Sequence, residues 1–140
     1  MENKYIIDNP KDFILAGKSN FTLENIKTNV HLTFSVTKVA EKQMYYIGVC
    51  TKYEGYMFIG CLYTNKDLTE FSFIKGKKLN PDEEQLSIKA FNYIKADYLE
   101  RNIPNESMKF YHHGHCCRCG RVLTTPESIK AGIGPFCAGL

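Results

Sequence analysis

The sequence lacks any apolar segment long enough to cross a membrane, and it begins without the pattern of a secretion signal. Residues 1–5 are polar, and no apolar stretch of about seven or more residues follows them. No apolar run approaches the roughly eighteen residues that a membrane-spanning helix requires. We therefore expect a cytoplasmic protein, in a compartment where thiols stay reduced.

Several catalytic signatures are also missing. The chain has no phosphate-binding P-loop, no Gly-rich dinucleotide-binding turn and no Gly-x-Ser-x-Gly elbow. The zinc deaminase signature fails because no Glu follows a His at the required spacing and Cys137 has no second Cys three positions later. The sequence predicts a protein that is not an enzyme.

Excess charge is small and is confined to one end of the chain. Residues 1–107 hold fourteen Lys or Arg and fourteen Asp or Glu, so the formal net charge of +3 arises in residues 108–140. This weak basic bias argues against an acidic mimic of DNA and is less than most DNA-binding domains carry. Three of these basic residues are candidate contacts to a partner or to phosphate: Arg118, Arg121 and Lys130.

What the sequence does have is enough apolar material for a core, since 44% of its 140 residues are hydrophobic and 13% are aromatic. Between about residues 20 and 75 the apolar positions alternate with polar ones. Leu32, Phe34 and Val36, for example, are separated by Thr33 and Ser35, which is typical of a half-buried strand. We predict a meandering antiparallel sheet of four or five strands in this region.

A helix is predicted after the strands. Asn80 is a suitable N-cap, and Pro81 suits the first helical position because its missing N–H needs no partner there. The apolar stripe that follows predicts one long helix that reaches about Arg101 and packs on the sheet. The predicted fold is therefore α+β over residues 1–107, with a small C-terminal zinc-knuckle module over residues 108–140.

Cysteines at metal-ligand spacing indicate zinc as the cofactor. Cys116 and Cys119 form a Cys-x2-Cys pair that one tight turn can aim at a single ion, and Gly120 allows that turn. Cys137 is the third candidate ligand. Between the pair and Cys137, residues 125–132 predict a short helix that brings the chain out and back.

The fourth ligand is less well determined by spacing. His112 lies four residues before Cys116, at the end of a predicted strand over residues 108–111, and it is the favoured candidate. His113, His115 and Cys117 stay open as alternatives. A site closed by three Cys and one His leaves no position for water, so the predicted role of zinc is structural rather than catalytic.

The pattern from Cys116 to Cys137 carries a resemblance. Its shared positions read Cys-x2-Cys-Gly-Arg-x-Leu-Thr-x-Pro-Glu-Ser-Ile-x2-Gly-Ile-Gly-Pro-x-Cys. This run resembles a small zinc domain of unknown function that is common in proteins of bacteriophages and mobile elements. That family has a His four residues before the first Cys, which His112 matches, whereas Cys117 replaces the usual Gly. More loosely, residues 13–17 and 21–23, with Gly60 and Phe91, resemble the N-terminal part of such phage proteins.

The resemblance implies a phage-encoded accessory protein that acts in the cytosol of a bacterial host. Small zinc proteins of this kind include type II-A anti-CRISPR proteins. We therefore expect a non-enzymatic inhibitor that binds a CRISPR type II effector nuclease and blocks DNA loading or a conformational step. The alternative is a nucleic-acid-binding zinc module of phage DNA metabolism, since zinc knuckles often bind DNA or RNA.

Overall fold

The computed structural model describes residues 5–7, 9–51, 55–76, 81–102 and 107–134. These residues form one antiparallel sheet with the strand order β1-β7-β2-β3-β4-β5-β6. The strands are β1 Tyr5–Ile6, β2 Lys18–Asn25, β3 His31–Lys38, β4 Met44–Thr51, β5 Gly55–Thr64, β6 Phe71–Lys75 and β7 Met108–His112. The helices are α1 Pro10–Ile14, α2 Pro81–Ile94 and α3 Pro126–Ala131, and a π-helical segment, Lys95–Glu100, directly extends α2. No helix in the described ranges is both long and apolar enough to cross a membrane.

One face of the sheet carries the hydrophobic core. The alternation seen in β3 turns Phe34 and Val36 inward, where both are fully buried. The ring of Phe91, from α2, lies 5.8 Å from that of Phe34 and 4.8 Å from that of Phe73 in β6. Burying each large apolar side chain stabilises a fold by about 1.5–3 kcal/mol, so this contact fixes α2 on the sheet.

The described helices all contact this core face. The π-helical segment reaches it through Tyr98, whose ring lies 4.4 Å from that of Phe110 in β7. The ring of Phe13 in α1 stacks on that of His112, and the same histidine hydrogen-bonds Ile129 of α3. The opposite face of the sheet is therefore left uncovered by the described helices.

The prediction of four or five strands is wrong, because the sheet has seven within the described residues. The outermost strand β1 pairs with β7, which in turn pairs with β2. The strand β7 was predicted as part of the zinc module, but not as a neighbour of β2. Local periodicity reports which face of a strand is buried and carries no information about its neighbour in the sheet.

Because of this pairing, the sheet contains residues from both sides of the predicted boundary between residues 107 and 108. The division into an α+β domain, 1–107, and a zinc module, 108–140, stays a prediction.

The prediction of one long packed helix is also wrong. Helix α2 begins at Pro81 as predicted but has 14 residues and ends at Ile94. The chain then forms wider π-type turns, in which the amide of Arg101 donates to the carbonyl oxygen of Ala96 at 3.1 Å. The wider turns bury the consecutive residues Tyr98 and Leu99, and this packing depends on β7 rather than on the local sequence. The predicted cap Asn80 lies outside the described residues.

Candidate metal centre

The Cys-x2-Cys pair lies in a tight turn just beyond β7, which we call the knuckle (residues 116–120). The carbonyl oxygen of Cys116 accepts from the amide of Gly120 at 2.9 Å, and the amide of Cys116 donates to the carbonyl oxygen of Arg121 at 2.8 Å. Gly120 has a φ of 81°, a conformation that glycine adopts at little cost. The predicted role of Gly120 in closing the turn is confirmed.

The sulfur of Cys116 is surrounded by hydrogen-bond donors. It accepts from the amide of Gly134 at 3.3 Å and from the amide of Arg118 at 3.5 Å. Burial acts to raise the pKa of Cys116, but the amides of Gly134, Cys119 and Arg118, together with the Cys119 side chain, lower the pKa from 9.0 to about 7. A buried sulfur that is readily deprotonated near neutral pH has the character of a metal ligand.

The bond from Gly134 also shows how the chain returns to the knuckle after α3. Thr125 caps this helix by accepting from the amide of Ser128 at 3.3 Å, and the helix ends at Gly132 with a φ of 74°. A Cβ atom at Gly132 would lie 2.7 Å from the ring of Phe13, so only glycine fits there. The predicted short helix is confirmed. Cys137, three residues beyond Gly134, lies outside the described residues.

The ring of His112 makes two hydrogen bonds within the described residues. The residue is buried, and its Nδ1 accepts from the amide of Gly114 at 3.1 Å. Nε2 must then carry the proton, and it donates to the carbonyl oxygen of Ile129 at 2.7 Å. Desolvation, with a smaller contribution from His113, lowers the pKa of His112 despite the opposing bond to Ile129. Both ring nitrogens are thus engaged, whereas a ligand needs a free lone pair, and the assignment of the fourth ligand stays a prediction.

The other three candidates for the fourth ligand, His113, Cys117 and His115, have different surroundings in the fold. His113 points to the uncovered face, where Nε2 hydrogen-bonds with Oγ1 of Thr22 at 2.8 Å. Cys117 is buried within the hydrophobic core cluster. His115 is exposed and lies over the knuckle, because Nδ1 hydrogen-bonds with the carbonyl oxygen of Gly120 at 3.2 Å.

The donors that fit zinc in the described residues are therefore the sulfurs of Cys116 and Cys119. The described residues contain no group of three or more His, Cys, Asp or Glu arranged to hold a metal ion, and Cys137 is outside them. The structure brings the Cys-x2-Cys pair and the segment that leads to Cys137 together, whereas the ring of His112 hydrogen-bonds with α3. The full set of ligands stays a prediction.

The predicted contact residues Arg118, Arg121 and Lys130 are all exposed. The structure adds Lys18, from β2, which the sequence analysis missed. A Cβ atom at Gly120 would lie 3.3 Å from Cδ of Lys18, so this side chain extends along the knuckle. No local signal in the sequence links residue 18 to residue 120, because the contact arises from the bond between the Lys18 amide and the Cys117 carbonyl oxygen, at 2.7 Å.

Comparison with known proteins bears on this end of the chain. Residues 107–140 match a family of unknown function (DUF6011). No curated protein matches the chain, and neither does any solved structure. The match covers β7, the knuckle and Cys137, and it supports the expected resemblance of this segment to a family of unknown function.

Proposed function

We propose that the chain is a non-enzymatic binding protein whose C-terminal segment is folded around a structural zinc ion. The observation that supports a metal site is the burial of the Cys116 sulfur, which accepts hydrogen bonds from the amides of Arg118 and Gly134. In this proposal Cys116, Cys119 and Cys137 bind zinc with a fourth donor, and His112 supports α3 instead of binding the ion.

The partner that we propose is a CRISPR type II effector nuclease, met in the cytosol of a bacterial host. Support comes from the resemblance of residues 116–137 to zinc domains of phage proteins. The exposed residues just beyond the knuckle supply a contact surface: Val122 is 67% exposed, and it lies beside Arg121. Arginines are frequent anchors at protein interfaces, and a metal-fixed turn loses little conformational freedom on binding. Inhibition would follow from a block of DNA loading or of a conformational step.

A second candidate function is direct binding of nucleic acid, and one observation favours it. Lys18 from β2 joins Arg118 and Arg121 around the knuckle, so the cationic surface is larger than the C-terminal sequence alone indicated. Phosphate contacts of this type weaken steeply with salt, because bound counterions are released when the complex forms.

One titration separates the two functions. Purified protein is added to a type II effector loaded with guide RNA, and cleavage of target DNA is followed beside a gel shift of the same DNA alone. Inhibition that saturates near one protein per effector, without a shift of free DNA, is the result expected for a protein-directed inhibitor. A salt-sensitive shift of free DNA would favour the nucleic-acid module, and unchanged cleavage would exclude the inhibitor.

Charge reversal tests the contact surface in the same assay. We expect Arg121→Glu to weaken inhibition, while Lys66→Glu, the same change of charge at an exposed lysine in the β5–β6 turn, leaves it unchanged. Equal effects of the two changes would indicate a general response to net charge rather than a contact at the knuckle.

A further inference from the structure

The uncovered face of the sheet carries a group of large apolar side chains on β4, β5 and β6. We call them the aromatic patch: Tyr46, Phe58, Tyr63 and Ile74, which are 48%, 50%, 40% and 60% exposed. Tyr46 and Ile74 lie opposite the same residue, Cys61, on either side of β5, and the rings of Tyr46 and Phe58 meet edge to face at 5.9 Å. The side chain of Tyr63 hydrogen-bonds with that of Cys61, so the four side chains are contiguous around Cys61.

The aromatic patch lies in an uncharged region. Charged residues make up 24% of the chain. Yet the described outward positions on β3 (33–37), β4 (44–50), β5 (58–63) and β6 (72–74) include no Asp, Glu, Lys or Arg. When one face of a sheet is solvated, residues along each strand normally alternate between apolar on the buried face and polar on the exposed face. An apolar, uncharged exposed face therefore marks an interaction surface.

The other half of the same face is different. On β2, Oγ1 of Thr22 hydrogen-bonds with Oγ1 of Thr33 at 2.7 Å and with Nε2 of His113 at 2.8 Å. The side chain of Tyr111 on β7 hydrogen-bonds with that of Glu24. Polar side chains thus cover the β7-β2-β3 half, and the apolar surface is confined to β4, β5 and β6.

We propose that the aromatic patch docks against the same patch of a second copy of this chain. A two-fold interface places a surface opposite itself, so a surface that carries mainly one sign of charge would repel its copy. An uncharged patch meets this requirement, whereas a nucleic acid would need cations that the described outward positions of these strands do not supply. The two sheets would pack face to face about 10 Å apart, with the helices on the outside, which gives four layers.

The size of the patch suits such a contact. Large apolar side chains bury about 150–250 Å² each, so four that are half exposed would bury roughly 400 Å² per copy. The uncharged residues around them extend this area towards the roughly 800 Å² per partner that is usual for a stable interface. The patch is on the half of the sheet away from β7 and the knuckle, so this proposal does not depend on the proposed function.

The test is the mass of the full chain in solution, measured by sedimentation velocity over about a hundredfold range of concentration. We expect a reversible shift from the 16.1 kDa monomer to twice that mass. Tyr46→Lys and Ile74→Lys, made separately, should each weaken dimerisation by at least tenfold, because each buries an unpaired charge in an apolar contact. Val122→Lys, which removes an exposed apolar side chain at the knuckle, should leave the dimer intact.

Two results would overturn the proposal. One is a monomer at every concentration, including the case in which the monomer binds a different protein through this face. The other is a dimer that both Lys variants leave unchanged while the far-ultraviolet circular dichroism and thermal unfolding of each variant stay as in the parent chain. Because Ile74 is on an edge strand and is largely exposed, its variant retains the fold even where Tyr46→Lys perturbs it.

Discussion

The sheet and the segment that follows β7 are held together in different ways. The sheet and its helices bury a continuous cluster that includes Phe21, Phe34, Ile47 and Phe91, all fully buried. In residues 113–134, by contrast, much of the order comes from backbone hydrogen bonds, such as those of the Cys116 and Leu123 amides to Arg121 and Gly114. Hydrophobic burial maintains the sheet, whereas a segment this short needs another source of stability, which we propose is zinc.

The largest expected effect separates the two regions by their dependence on metal. Cys116→Ser should abolish stoichiometric zinc binding and remove hydrogen-exchange protection from residues 113–134, because the sulfur that accepts the Gly134 amide is lost. Structural zinc contributes about 10–16 kcal/mol of apparent binding energy in zinc-finger peptides. Zinc content is measured by atomic absorption, with Cys50→Ser, an exposed thiol on β4, as the control that keeps the metal.

Retention of one zinc per chain in both the Cys116→Ser and the Cys119→Ser variants would contradict the structural zinc site. Zinc content is measured in the same way for His112→Gln and His115→Ala. We expect His112→Gln to keep its zinc, since His112 already uses both nitrogens in hydrogen bonds.

The converse experiment disturbs the sheet and spares the knuckle. Phe34→Ala removes a fully buried ring that contacts Phe21 and Phe91, and it should lower the free energy of unfolding by about 3–5 kcal/mol. Urea unfolding followed by circular dichroism measures the change. Ile26→Ala, at a side chain that is 44% exposed and lies outside the aromatic patch, is the control and should cost far less. Equal losses would show that the core is not where the structure places it.

A smaller effect concerns the contact between the two regions. Desolvation lowers the pKa of His112 in the folded chain, so the unfolded chain binds the proton more tightly. The stability contributed by neutral His112 is present above its unfolded pKa of about 6.5 and is lost as the pH falls towards the lower folded value. Unfolding curves between about pH 5 and pH 8 should therefore slope more steeply for the parent chain than for His112→Gln.

Both proteins are compared in the same excess of zinc, and their zinc content is measured at each pH, so that release of zinc in acid can be separated from the titration of His112. The amide of the introduced Gln retains a donor for the Ile129 carbonyl oxygen but does not titrate in this range. Parallel pH profiles would mean that His112 is accessible to solvent, contrary to its burial here.

The smallest expected effect is confined to α3. Thr125→Ala removes the side chain that accepts from the Ser128 amide, and loss of such a cap costs about 1 kcal/mol. Thr124→Ala, at the exposed neighbouring residue, is the control. Hydrogen exchange should speed up in α3 for Thr125→Ala alone, and an equal change in β3 would show that α3 is not a local unit.

Local features account for what the sequence predicted correctly. Helix α3 begins at Pro126 after Thr125 and ends at Gly132, because caps act over a few neighbouring residues. The burial of Phe34 and Val36 follows from the period of two in β3. The number of strands and the π-helical segment did not follow, since both depend on the contact of distant segments with β7.

The sequence by itself determined the candidate metal turn, because the spacing of Cys116 and Cys119 and the freedom of Gly120 are properties of neighbouring residues. Only the tertiary structure decided the surroundings of His112. The fold places the His112 ring between those of Phe13 and Tyr5. There the two ring nitrogens hydrogen-bond with Gly114 and Ile129. Each ring nitrogen accepts or donates one hydrogen bond. The partner of Nδ1 is two residues away, whereas the partner of Nε2 lies in α3, which local spacing does not relate to His112.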